Sequence, residues 1–406
     1  LGGWTQPASQ YRRRGVIYSM DFAFNAEDEK FRKEVKEFIR AEPPDKFPIQ
    51  KEDGCYGFGA WSYDYQRKLG EKGWVGFTWP KKYGGYEGSV RHQMILWEEL
   101  AYARAPIESV FYAEAVGGII VKTGTEELKQ KLIPDTTKGR IAFCECLSEP
   151  NFGSDLFSLQ TRAIHKGNEF ILDGQKVWIS NAHLANFGIV IARTNPEVAG
   201  AHGIGALIVD LSSPGVTVNP LITIAGEKDF NEVFFDHVVV PEINFLGQKE
   251  KGYRAALECV EWDRFWGRAC KGSFYQRLLE QFIDSVRESG VLEDPVVQNK
   301  LAGLATDIEL CKLFFWRIVS MQEKGLTVNY EHCLAKTFAD EMSQRFFHVT
   351  TDIIGQCGLL GKGENLAPMA GFLPHGFLNT IGQTLAGGTS EINRNTIATR
   401  GLGLPR

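Results

Sequence analysis

An α+β fold in three successive parts is predicted by two changes of hydrophobic period along the 406 residues and by the absence of strand–helix alternation. Apolar residues recur every three or four positions from about 26 to 140. They alternate or form short runs from about 141 to 246, then return to the helical period. A doubly wound nucleotide fold would interleave strands with helices. The only stretch near a dinucleotide fingerprint, "GIGAL" at 203–207, lacks the third glycine and opens no helix.

The elements follow in order. Residues 1–19, "LGGWTQPASQYRRRGVIYS", have no apolar h-region and are set apart as a leader or as upstream residues before a start at Met20. Residues 20–140 form an N-terminal helical domain, with Phe31, Val35, Phe38 and Ile39 at helical spacing and "MILWEELAYARA" and "TEELKQKLIPD" repeating the habit. Pro43-Pro44 and "TWPKKYGGYEG" break it. Glu98 and Glu99 read as a solvated helix face. Residues 141–246 hold the strands "IAFCECL", "EFILDG", "KVWIS", "FGIVIART", "GALIVDL", "GVTVNP" and "EVFFDHVVV", with Asp173-Gly174 at an expected hairpin turn. Residues 247–406 carry amphipathic helices over 253–289, 296–325 and 329–350, a glycine-rich stretch, and a last helix ending near Gly401.

Composition narrows the function. Hydrophobic and charged fractions of 43% and 23% suit a globular chain with a sizeable core. The net charge of −5, with no long single-sign run, argues against nucleic acid or an anionic membrane as partner. No apolar run approaches the roughly 20 residues of a membrane span. Eight cysteines without a C-x-x-C pair are too sparse for a disulfide framework, so the reducing cytoplasm is expected. Eight histidines lack ligand spacing, so no metal is expected.

Three motifs carry chemistry. "TLAGGTSEINRN" at 384–395 offers backbone amides and a hydroxyl cap to a polar ligand, yet holds no acid, base or nucleophile stronger than a hydroxyl between Thr384 and Ser390. "CLSEPNFGSD" at 146–155 presents Ser148 and Ser154 beside free amides around a turn forced by Pro150 and Gly153. This suits a flavin edge or a pyrophosphate, the plain alternative being a serine-rich hairpin. "KVWISNA" at 176–182 places Trp178 and Ser180 on one side of a strand, to stack on and hydrogen-bond an isoalloxazine. The plain alternative is a core tryptophan.

In this order, and with "FTWPKKYGG", "EVFFDHVVVP" and "AGGTSEINRNTIATRGLGLPR", these motifs resemble the acyl-CoA dehydrogenase superfamily from Met20 to Arg406, most of all its bacterial branch acting on unusual acyl-CoA esters. The resemblance implies an N-terminal α-helical domain, a middle β-barrel or sandwich and a C-terminal four-helix bundle. FAD would lie between the last two in a homotetramer or heterotetramer. The implied reaction converts an acyl-CoA thioester to the 2,3-enoyl-CoA by α-proton abstraction and β-hydride transfer to flavin N5, with electrons passing to electron-transfer flavoprotein. By position, Leu147, Ser148, Gly153 and Ser154 meet the flavin, Trp178 and Ser180 flank its ring, and Thr389 and Glu391 touch it from the last helix. Arg287, Gln298 and Gly355 reach the dinucleotide of a neighbouring subunit. The chain departs from the family at this end, with "RESGV" for Arg-x-x-Phe-Gly, Gly355-Gln356 for Gly-Gly, and Glu391 for a common glutamine.

Many members keep the catalytic glutamate just before the Gly-Thr of the C-terminal loop, where this chain has Gly387, whose backbone N–H remains to polarise the thioester carbonyl. Others, resembling isovaleryl-CoA dehydrogenase, place it on the helix opening the bundle, before an arginine. Here that residue is Asp263, with Glu261 as the alternative. On a helix the two point about 200° apart. Glu261 has Glu258, Leu257, Arg264 and Phe265 around it and reads as a surface carboxylate paired along the helix. Asp263 has Cys259 and Gly267 one turn away, which leaves room for a ligand. An aspartate is one methylene shorter than glutamate, so a bulky, branched or cyclic acyl group is expected. Kept open are a carrier-protein thioester dehydrogenase, a nitroalkane-type flavin oxidase, and the flavin-poor subunit of a heteromer.

Overall fold

The computed structural model describes residues 22–48, 60–247 and 252–405. The segment 1–19 set apart above lies outside the described residues, as do the first residues after Met20.

Five helices form the first part. Helix α1 (Ala26–Ala41) starts at a reciprocal cap: the Asn25 side chain accepts from the amides of Glu27 and Asp28, and the Asp28 carboxylate accepts from the Asn25 amide. Ser62, Ser89 and Thr125 cap α2 (Tyr63–Glu71), α3 (Val90–Tyr102) and α5 (Glu126–Thr137) from one side only, each accepting an amide three residues on. Helix α4 (Glu108–Thr123) lacks such a cap, is apolar nearly all round and runs buried through the middle. The ring of Trp79, from "FTWPKKYGG", lies against Gly117 of α4, where any side chain would strike it. Glu98 and Glu99 are not a solvated face. Both are buried, Arg32 of α1 pairing with Glu99 at 2.6 Å and with Glu98 at 3.6 Å. The Trp316 indole donates to Glu98 at 2.8 Å.

The strands β1 (Phe143–Cys146), β2 (Arg162–Lys166), β3 (Glu169–Ser180), β4 (Phe187–Arg193), β5 (Ile204–Asp210), β6 (Val216–Leu221), β7 (Phe230–Pro241) and β8 (Phe245–Leu246) form one sheet. Its order is β6-β7-β3-β2-β4-β5-β8, with β1 parallel to β4. The hairpin turn lies at Gly167-Asn168, where Gly167 has φ +64°, and not at Asp173-Gly174. Strand β3 runs on through Gly174 as an irregularity, and Asp173 instead accepts the His237 amide of β7 at 2.8 Å. Alternation gives the sheet two apolar sides. Cys144, Cys146, Val190, Ala192, Leu207 and Val209 fill the sheet's own core, while Phe143, Ile189, Ile191, Ala206 and Ile208 join the helical core. Glu145 shares the helical side with Phe143.

The third part begins with α6 (Tyr253–Ala269) and α7 (Lys271–Ser285), so the helix expected over 253–289 is two helices parted at Cys270. Helix α8 (Pro295–Glu323) starts where Asp294 accepts the Val296 amide and Pro295 takes the first position. Helix α9 (Glu331–Ile354) packs against α6, α8, α10 (Phe372–Gln383) and α11 (Ser390–Thr396), and α11 is prolonged by a π turn to Gly401. Helix α6 touches α4, α9 and β5, so all three parts of the chain meet along it. Among the described residues no helix is long and apolar enough to cross a membrane.

Candidate active site

Of the two candidate acids on α6, Asp263 and Glu261, only Asp263 faces the C-terminal loop. Its half-buried carboxylate accepts from Nη1 of Arg268 at 2.5 Å. Oδ2 lies so close to Cα of Gly387 that a Cβ built there would collide with it. Glu261 is exposed. The pairing expected along the helix is not made, for Arg264 turns inward and donates from Nε to the Gly387 carbonyl at 3.1 Å. Gly387 therefore carries no side chain for two reasons: its φ is +66°, and Asp263 fills the space.

Behind Asp263 lies a buried ionic cluster that the sequence reading missed. Nε of Arg268 reaches Asp340 at 3.3 Å, Lys271 donates to Asp340 at 2.5 Å, and Lys336 pairs with it at 2.9 Å. Burial pulls the Asp340 carboxyl upward, but Lys271, Arg268 and Lys336 outweigh it and hold it down at about 2. Desolvation opposes charge on Arg268, and the carboxylates of Asp263 and Asp340 more than restore it. Both anions thus share one guanidinium.

The same cations set the loop. The carbonyl of Ala386 accepts from Nη2 of Arg268 at 3.3 Å and that of Gly387 from Arg264. The Gly388 carbonyl accepts from Lys336 and Asn393, both at 2.7 Å. In a trans peptide the N–H opposes the C=O, so these clamps turn the amides of Gly387, Gly388 and Thr389 the other way. None of the three donates to protein among the described residues. Gly388, at φ +86°, is the second residue that the loop needs without a side chain. The Thr389 hydroxyl accepts the Ile392 amide and caps α11, while Glu391 is exposed one residue into it.

On the sheet side, Leu147 and Ser148 are fixed from behind. Fully buried Lys176 donates to the Leu147 carbonyl at 2.8 Å and pairs with Glu149 at 2.9 Å, and the Val177 amide donates to the Ser148 carbonyl at 2.9 Å. Glu149 also accepts the amides of Gln160 and Thr161. Gly153 and Ser154 stand exposed at the loop tip. Trp178 does not follow the plain alternation expected of it. It sits at φ +61° in an irregular stretch of β3 between Lys176 and Ile179, and 63% of it is exposed, so it is no core tryptophan. A large ring held open in a left-handed backbone suits a planar partner. Two positions on, Ser180 lies beside the Tyr112 phenol of α4. Asn181, wholly buried, has both amide atoms unpartnered. The open ring, the unpartnered amide and the bare loop N–H groups fit a flavin-sized polar ligand.

The two halves meet at Tyr112. Burial, then Glu108 and with it Glu145 and Asp263, push the Tyr112 phenol well above its ordinary range. Glu145 of β1 points the same way. Burial first, then the charge of Asp263, push its carboxyl well above the usual carboxylate range, with Arg268 as the opposing cation. The other carried-over residues are not brought here. Arg287 pairs with Asp284 at 2.7 Å, Gln298 donates to the Leu292 carbonyl at 2.9 Å, and Gly355 ends α9 at φ +68°. Gly355 lies about 22 Å along α9 from Asp340 at a rise of 1.5 Å per residue.

Models of the N-terminal, middle and C-terminal domains of acyl-CoA dehydrogenases match residues 25–140, 144–238 and 250–402. The chain is 28% identical over 386 residues to acyl-CoA dehydrogenase IpdE1 of Mycobacterium tuberculosis, covering 93% of this chain and 98% of that protein. It is 30% identical over 389 residues to probable acyl-CoA dehydrogenase YngJ of Bacillus subtilis, covering 93% and 99%. The solved structure of the Tcur3481-Tcur3483 steroid ACAD is similar with a TM-score of 0.84 at 30% identity, covering 95% of this chain and 100% of that one.

Proposed function

The chain belongs to the acyl-CoA dehydrogenase family and is an oxidoreductase, and from that premise we propose that it introduces a 2,3 double bond into an acyl-CoA thioester with FAD as cofactor. Leu147, Ser148, Gly153, Ser154, Trp178 and Ser180 hold the flavin from the sheet side, with Thr389 and Glu391 at the last helix. Bound FAD supplies the acceptor for the hydride that leaves the β-carbon.

The rest of the chemistry falls to the chain's own groups. Asp263 takes the α-proton, and the amides released by the clamped loop, that of Gly387 among them, donate to the thioester oxygen as charge builds on it. The observation carrying this reading is the contact of Asp263 with Gly387, which sets the acid beside the bare amides. Before the step Arg268 pairs with the Asp263 carboxylate. Once the proton has moved, Asp340 still compensates Arg268, so the buried cation is never left alone. The short base and the likeness to a steroid ACAD favour a bulky, branched or cyclic acyl group. Arg287, Gln298 and Gly355, remote from Asp340, serve the dinucleotide of a neighbouring subunit in a homotetramer or heterotetramer, and reduced flavin passes electrons to electron-transfer flavoprotein.

The test is anaerobic bleaching of the flavin by cyclic, branched and straight-chain acyl-CoA esters, with wild type and Asp263→Asn at equal flavin content. Bleaching by wild type alone is expected, fastest with the cyclic esters. An Asp263→Asn protein that bleaches at the wild-type rate overturns the assignment. Size exclusion with flavin absorbance reports the assembly.

A further inference from the structure

Glu145 is an acid near Asp263 for which the proposed reaction has no use. It sits on β1 between Cys144 and Cys146, which face the sheet's core, so its side chain enters the helical side near Tyr112 of α4 and Cys259 and Asp263 of α6. Its Oε1 has no solvent contact and no hydrogen-bond partner among the described residues. Yet the residue keeps accessible surface, as Asp263 does, although Cys144, Cys146, Tyr112 and Cys259 around it are buried. Part of its side chain therefore lies against accessible space rather than against packed atoms. The charged groups that act on it are Asp263 and Arg268, and Arg268 is already shared between two carboxylates.

A buried carboxyl with no cation of its own is retained at a cost unless a ligand completes it. We propose that the Glu145 carboxyl donates a hydrogen bond to an oxygen carried by the acyl group, so that the enzyme selects oxo- or hydroxy-substituted acyl-CoA esters. The inference rests on the acyl-CoA dehydrogenase reading, because it takes the space beside Asp263 as the place of the acyl group. A plain hydrocarbon there leaves the carboxyl unpaired, whereas an acceptor oxygen pairs it. A site with one such donor discriminates by about ten- to a hundredfold.

The experiment compares cyclohexanepropanoyl-CoA with its ring-oxo analogue in the flavin-loaded enzyme. In wild type the kcat/KM ratio favours the oxo ester by at least about tenfold. Glu145→Gln still donates from its amide and keeps the preference, while Glu145→Leu brings the ratio to near one. A wild-type ratio near one, or a preference that survives in Glu145→Leu, overturns the inference and leaves the dehydrogenase reading standing, since both esters are still oxidised. Loss of the preference in Glu145→Gln also overturns it, because ionisation and not donation would then be at work. If neither ester bleaches the wild-type flavin, both readings fall together. The wild-type ratio decides even where a variant does not fold.

Discussion

Placing one methyl group on Gly387 tests the arrangement of the base most directly. At φ +66° any residue with a Cβ carries a strain of about 1–2 kcal/mol. The new Cβ would also collide with Oδ2 of Asp263 and come within 3.3 Å of Nη1 of Arg268. Overpacking of that kind costs about 1–3 kcal/mol. Gly387→Ala is therefore expected to lose about 2–5 kcal/mol in the wild-type background. With Asp263→Ala the collision is gone, and only the backbone strain of about 1–2 kcal/mol remains. Urea denaturation of the four proteins of this double-mutant cycle gives the coupling, expected at about 1 kcal/mol or more. In Gly387→Ala with Asp263 retained, displacing the carboxylate by about 1 Å is expected to slow flavin bleaching about a hundredfold. Equal destabilisation in both backgrounds would refute the contact, and with it the steric reason for a glycine at this position.

Other perturbations follow from the same structure. Asp340→Asn leaves three buried cations short of an anion and is expected to cost about 3–5 kcal/mol in urea denaturation, with a protein that does not fold at all as the extreme of the same result. Burial pushes the Glu114 carboxyl up to about 7 although it accepts the amides of Gly76 and Phe77 and the Gln93 side chain. Its native form thus holds a proton that the unfolded chain releases at a lower pH, so its contribution to stability falls as pH rises from about 4.5 to about 7. Glu114→Gln lacks this loss and is expected to gain on wild type by about 3 kcal/mol across that window in urea titrations at several pH values. Trp178→Ala removes a mostly exposed ring and is expected to move apoprotein stability by no more than about 0.5 kcal/mol while lowering the flavin retained through purification, measured by absorbance.

The order of helices, strands and helices was legible because each period persists over dozens of residues. What failed were features set by distant partners. Asp173-Gly174 has the composition of a turn, but Asp173 is engaged by the His237 amide, 64 residues on, and the turn fell to Gly167. Glu98 and Glu99 look solvated until Arg32 and Trp316 are brought to them. In the site, the small neighbours of Asp263 pointed to it over Glu261. Arg268, five residues on, gave no local sign, because its role depends on Asp340 of α9, 72 residues further along the chain. The exposure of Trp178 was equally out of reach, since it comes from a backbone irregularity and not from alternation.

Three basic side chains gripping three successive carbonyls make the segment 386–388 a stiff arch. Its shape is settled when the chain folds, so an arriving thioester meets amides already aimed and does not have to organise them. Turnover would then be limited by the bond-breaking step rather than by the closing of this strap, and a heavier hydrogen isotope at the α-carbon should be felt in the rate.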